Sequence, residues 1–205
     1  MSDKMYLYPL WVRIWHGFNA LFFLVLLISG ISMQYADLKY SFLPFDWAVL
    51  SHNISGVGIT LAYLFFLVGF VLSDNKRHYK IEVKGLCGRL IRQMQYYLFG
   101  IFKGEGSPFP VTAESKFNPL QQTTYVAVLF VLYPMLILTG FPLMFPEIII
   151  DNFFGIGGTL LTALLHSAVG FLSSLFLVIH IYFATIGSTP TSNFKSIING
   201  YHERH

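Results

Sequence analysis

The sequence predicts an all-α integral membrane protein: a four-helix transmembrane bundle with a cytoplasmic amphipathic helix between spans two and three. Three observations lead there. Of 205 residues, 55% are hydrophobic, 18% aromatic and 11% charged, whereas a soluble domain carries about 25% charged residues. Four stretches are long and apolar enough to cross a bilayer, which takes about 20 residues each. All but one of the 13 lysines and arginines fall on one side of those stretches. This composition excludes a disordered, collagenous or coiled-coil chain. The single cysteine, Cys87, excludes an internal disulfide framework, a Cys-rich zinc site and an iron–sulfur cluster.

Span one covers residues 10–33, span two 48–72, span three 120–145 and span four 158–186, within one domain over 1–205. None holds an acidic residue, and their one basic residue is Arg13, near the start of span one, where it reaches the interface. Span one is too long for a signal peptide and no A-x-A site follows it, so it is expected to be retained. Lys4 and Arg13 precede or open span one. Eight basic residues from Lys76 to Lys116 lie between spans two and three, and Lys195 and Arg204 follow span four; Lys39 alone lies opposite. The positive-inside rule then puts both termini and loop 74–118 in the cytoplasm. Within that loop Leu86, Leu90, Met94, Tyr97 and Ile101 recur at helical spacing, with Arg89, Arg92 and Gln93 off the stripe. This is an amphipathic helix, lying on the membrane or packed on the bundle, and Gly104, Gly106, Pro108 and Pro110 end it. The outer loops, 34–47 and 146–157, are short and carry Asp37, Asp46, Glu147 and Asp151.

Seven histidines divide into two groups. His78, His202 and His205 sit in the loop or tail and read as solvated surface. His16, His52, His166 and His180 lie inside spans, where ionisable residues are costly and usually functional. His166 and His180 are 14 residues apart, which brings them to one helix face at heights differing by about 21 Å. Counting from the span ends matches His16 in depth with His180 on the inner side, and His52 with His166 on the outer side.

Two imidazoles facing across a bundle are the axial ligand set of a haem iron. Two levels make room for two haem b groups. The absence of C-x-x-C-H excludes covalent c-type attachment. Zinc would need a third and fourth ligand, and a proton relay would need buried carboxylates; the spans supply neither. Glycines support the haem reading, because a flat macrocycle needs helix surface without side chains. Gly56 and Gly170 each follow an outer histidine by four residues, and Gly30 lies on the His16 face at the outer depth. Arg13, one turn before His16, is a candidate partner for a haem propionate. With both axial positions filled such haems only transfer electrons. A pair stacked through the bilayer is a wire with a membrane-soluble carrier, quinone, at one end and a redox protein at the other. Membrane lipid, not nucleic acid, is the surrounding partner.

Arg13 and His16 as R-x-x-H in span one, the early His52 in span two and the His166–His180 spacing in span four resemble a family. So do K-F-N-P-L-Q at Lys116–Gln121 and H-I-Y-F-A-T-I-G-S-T-P at His180–Pro190. The chain resembles the bacterial dihaem cytochrome b subunits of nickel–iron hydrogenases, formate dehydrogenases and thiosulfate reductases, in the bacterial cytochrome b561-like superfamily, over nearly its whole length. The resemblance implies pairing of His16 with His180 and of His52 with His166, and a quinone site near the inner haem, where Asn118 and Gln121 offer hydrogen-bond groups. Asn118 before Pro119 is equally a helix cap. It also implies a periplasmic redox subunit: a hydrogenase, molybdenum enzyme, iron–sulfur protein or multihaem cytochrome. The alternative is a self-contained oxidoreductase acting on a small molecule such as superoxide or ferric iron.

Overall fold

The computed structural model describes residues 4–36, 43–153 and 155–203. Asp37, Lys39, Arg204 and His205, which the sequence reading invoked, lie outside the described residues. Four long helices dominate. The first is α1 (Leu10–Gln34) and the second α2 (Phe45–Leu72). The third crossing is made of α4 (Pro119–Ala127), one wider π turn (Val128–Leu132) and α5 (Tyr133–Met144), and the fourth is α6 (Gly158–Ala184). All four are long and apolar enough to span a membrane. Pro134, just after the π turn, has no N–H for the carbonyl one turn back, and widening the helix there avoids the clash its ring would make. Leu24, Leu64, Leu138 and Phe171 are among many large apolar side chains left exposed on the bundle, as lipid-facing residues must be.

Helices α1 and α2 pack closely along each other, and α5 packs along α6. Glycines set the first of these approaches: a Cβ at Gly58 would lie 2.6 Å from the Phe22 ring, and one at Gly69 2.6 Å from the Trp11 ring. The apolar core joins α1, α2 and the third crossing through Trp15, Ile59, Tyr63, Phe66, Val128, Leu129 and Tyr133. Tyr133 donates its hydroxyl to Asn19 Oδ1 (2.9 Å) across that core. Helix α6 stands apart, with no extensive backbone contact to α1 or α2 among the described residues.

The two chain ends are clasped together: β1 (Lys4–Tyr6) pairs antiparallel with β4 (Tyr201–Glu203), which follows the short α7 (Ser192–Asn199). At the opposite end β2 (Asn152–Phe153) and β3 (Ile156–Gly157) form a small hairpin. The expected amphipathic helix exists as α3 (Leu86–Gln95), continued by a π turn at Tyr96–Gly100 and a 3-10 turn at Ile101–Lys103. It packs on α4. Its inward face requires one correction. Gln93 is fully buried and Met94 is 47% exposed, the reverse of the expectation. Positions 86, 90, 93 and 97 keep the four-three-four rhythm of one helix face, and the apolar choice of Met94 over Gln93 departs from that phase.

Candidate functional site

The fold brings the four span histidines together as two pairs. The His16 and His180 ring centroids lie 6.2 Å apart and the rings are inclined at 48°. Those of His52 and His166 lie 6.3 Å apart at 73°. Among the described residues no hydrogen bond joins the two rings of either pair, and centroids just over 6 Å apart leave room between the rings. A metal about 2 Å from each nitrogen fits between them. Among the described residues no third His, Cys, Asp or Glu joins either pair, so remaining metal ligands would have to come from the group that carries the metal. A macrocycle meets that demand, and the interval between α6 and the α1–α2 pair, crossed by these side chains, gives it a place. A Cβ added at Gly17, Gly56 or Gly170 would meet no protein atom within 4 Å. These residues therefore fit haem.

The outer pair is held by hydroxyls. Ser29 Oγ lies 3.0 Å from His52 Nδ1 and gives its own proton to the Val25 carbonyl (2.6 Å). Thr139 Oγ1 lies 2.8 Å from His166 Nδ1 and gives its proton to the Met135 carbonyl (2.6 Å). Each hydroxyl has one proton and has spent it, so each accepts from an Nδ1–H. That fixes both tautomers and leaves each Nε2 as a bare lone pair, the form a metal takes. Beside each hydroxyl is a glycine. A Cβ at Gly30 would touch His52 Cε1 at 3.5 Å, and one at Gly140 would crowd His166 Cε1 at 2.9 Å. Gly30 thus serves as a seat for the histidine ring. Gly140, Ser29 and Thr139 are absent from the sequence reading, because no local pattern separates these hydroxyls from those that only bond the carbonyl four residues back.

The inner pair has no such hydroxyls. His180 stacks on Phe176 (5.4 Å, 23°) and meets the edge of Tyr125 (5.9 Å), and His16 meets Trp15 (6.4 Å). Arg13 hydrogen-bonds the Ile198 carbonyl through Nη2, while its buried Nε has no partner.

Asn118 and Gln121 form a complete capping box. Asn118 Oδ1 accepts from the Gln121 backbone N–H (2.9 Å), and Gln121 Oε1 accepts from that of Asn118 (3.2 Å). Asn118 also donates through Nδ2 to the Tyr97 hydroxyl (2.7 Å). Tyr97 in turn stacks at 4.4 Å on Phe183, three residues past His180. One turn before Tyr97 is Gln93, 0% exposed, whose amide reaches the Tyr97 hydroxyl and otherwise lacks a hydrogen-bond partner of good geometry. A buried amide with unmet hydrogen-bonding capacity is costly.

A multi-pass membrane bundle carrying facing imidazole pairs has the build of a membrane cytochrome. Comparison with known proteins identifies which: the family model for prokaryotic cytochrome b561 matches residues 7–200, and the chain belongs to that family. It is also 41% identical over 201 residues, 98% of this chain and 76% of the relative, to the Escherichia coli K12 protein named "Putative cytochrome YdhU". The protein is therefore a membrane-embedded b-type cytochrome that binds haem b and serves electron transfer.

Proposed function

We propose that this cytochrome holds two haem b groups and carries electrons across the bacterial inner membrane between quinone and a redox protein on the periplasmic face, acting as the membrane-anchoring subunit of that partner. The observation that carries the reading is the pair of imidazole gaps, 6.2 Å and 6.3 Å, at two depths of one bundle. In it His16 and His180 hold the inner haem, and His52 and His166 the outer. When bound, haem supplies one-electron chemistry between the two oxidation states of its iron. The protein supplies ligand orientation through Ser29 and Thr139, ring seats at Gly30 and Gly140, and flat helix surface at Gly56 and Gly170. Arg13 Nε, buried and unpartnered, is suited to an inner propionate.

Quinone meets the inner haem in this reading. Gln93 presents a buried amide whose hydrogen-bonding capacity the protein leaves partly unfilled, as a quinone carbonyl or quinol hydroxyl requires. Asn118 and Tyr97 flank it, and Gln121 fixes Asn118 by closing the box. With the positive loop inward, both termini and this site lie in the cytoplasm. The outer end carries Asp46, Glu147 and Asp151 with exposed Trp47 and Ile150, too little chain to form a domain, which suits docking of a partner. The test is reduction of the purified cytochrome in liposomes by a short-chain quinol. The proposal expects reduction of both haems, blocked by a quinone-site inhibitor. Haem reducible by dithionite but indifferent to quinol would contradict it.

A further inference from the structure

A second site lies at the His16–His180 end of the bundle, where α2 stops at Ser73 and α1 begins after Pro9. A cavity of about 230 Å³ opens there, and its lining includes Tyr6, Asp74, Asn75, Arg77, His78 and Lys116. Lys116 is 6% exposed. Its ammonium donates to Asn75 Oδ1 (2.6 Å) and sits 5.6 Å from the centre of the Tyr8 ring. No carboxylate pairs with it among the described residues. A buried ammonium keeps three donors, and this one uses one.

His78 is 4% exposed, and its Nε2 accepts from Arg77 Nε (3.3 Å). The proton of the neutral ring must then be on Nδ1, which is directed to the Glu114 backbone carbonyl. Arg77 donates Nη2 to the Ala113 carbonyl (3.4 Å) and keeps Nη1 free. Of the acceptors in the lining, Asn75 Oδ1 is taken by Lys116 and Ser73 Oγ by the Asn75 backbone N–H (3.3 Å), and Asp74 is its one carboxylate. The cavity therefore offers unsatisfied donors and two cations around one small space. That is the complement of a tetrahedral oxyanion.

We propose that this cavity binds a phosphate group. The ends of two spans meet here, at the depth of lipid headgroups. Asp74 in the lining weighs against a dianion and favours the singly charged diester of a phospholipid. Burial, followed by the charges of Lys116 and Arg77, pushes His78 down to about 4. Burial and then Arg77 push Lys116 down to about 8. In both, burial is the larger cause and the neighbouring cations the smaller.

The test adds either dioleoylphosphatidylglycerol or inorganic phosphate to the haem-loaded protein in a neutral detergent and follows the melting temperature. The lipid should raise it saturably. Lys116→Gln and Arg77→Gln should each shift the half-saturating concentration upward by about tenfold, the loss of one charge-assisted hydrogen bond, with both haem spectra unchanged. Arg77 is exposed, so its variant folds even if the buried Lys116 variant does not. A rise with inorganic phosphate that both variants lose would also support the site and name the soluble ion as its occupant. Variants that respond like the parent protein, or no response to either probe, would overturn the proposal. So would an altered inner-haem spectrum in the Lys116 variant with lipid binding intact, which would turn that cation toward the cofactor.

Discussion

His52 and His166 each give Nδ1–H to a hydroxyl that stands one residue before a glycine on a neighbouring helix, whereas His16 and His180 meet aromatic rings. The two pairs have nearly the same spacing, so the difference lies in what fixes the rings. A hydrogen bond at Nδ1 sets the tautomer, stops the ring from turning and makes Nε2 a better base. Stacking on Phe176 restrains the plane of His180 and does nothing for its basicity. The outer site is thus the rigid, electron-rich one. The inner pair lies near Tyr97 and Asn118, where the proposed function puts the diffusible substrate.

The largest expected effect separates the pairs outright. His52→Ala or His166→Ala should abolish the outer haem and leave the inner one, and His16→Ala or His180→Ala the reverse, each reading as the loss of one of two haems by pyridine haemochrome assay. Gly140→Ala comes next. A Cβ there would meet His166 Cε1 at 2.9 Å, so the ring must move and outer-haem occupancy should fall, while Gly30→Ala, with 3.5 Å to spare, should be mild. Equal effects at both would break the ring-seat argument. Ser29→Ala and Thr139→Val should weaken outer-haem retention by about 10- to 100-fold and raise the outer potential alone in a redox titration. A shift of the inner potential instead would reverse the assignment of rigidity. Gln93→Leu should slow quinol-driven reduction on the order of tenfold with both spectra intact. Asn118→Ala should add about 1 kcal/mol of cap loss, seen as a lower melting temperature.

The smallest effect is with pH, and Lys116 at the inner end carries it. Lys116 is lowered to about 8 by burial and by Arg77, so between pH 8 and its ordinary value the unfolded chain binds the extra proton. Stability therefore rises with pH through that window. Above it the tyrosines take over in the opposite direction, because burial raises Tyr79 to about 12. Lys116→Met should remove the rise between pH 8 and 10 in melting experiments without added lipid.

What the sequence made legible follows from the cost of polarity in lipid. An apolar run with one histidine is conspicuous, and spacing along α6 orders the pair by depth, so the spans and His16, His52, His166 and His180 could be read directly. Ser29 and Thr139 could not. Hydroxyls in these helices ordinarily bond the carbonyl four residues back, as Ser32, Thr60 and Ser173 do, and nothing local tells which also meet a histidine. Gln93 was hidden by hydropathy itself, since a polar residue on an amphipathic helix is expected outside. Lys116 was counted among the loop cations, because a sequence shows its charge and not its burial. Asn118 and Gln121 were read both as quinone groups and as a cap, and the structure shows the cap complete.

The account rests on two haems in two defined pairs. The most direct measurement is the haem content and low-spin spectrum of the purified protein and its four histidine variants, with acid–acetone extraction to prove noncovalent attachment. The prediction is two extractable, six-coordinate haems per chain in the parent, one in every variant, and two spectral classes that group His16 with His180 and His52 with His166. One haem in the parent, or a class that joins His16 to His166, would contradict it.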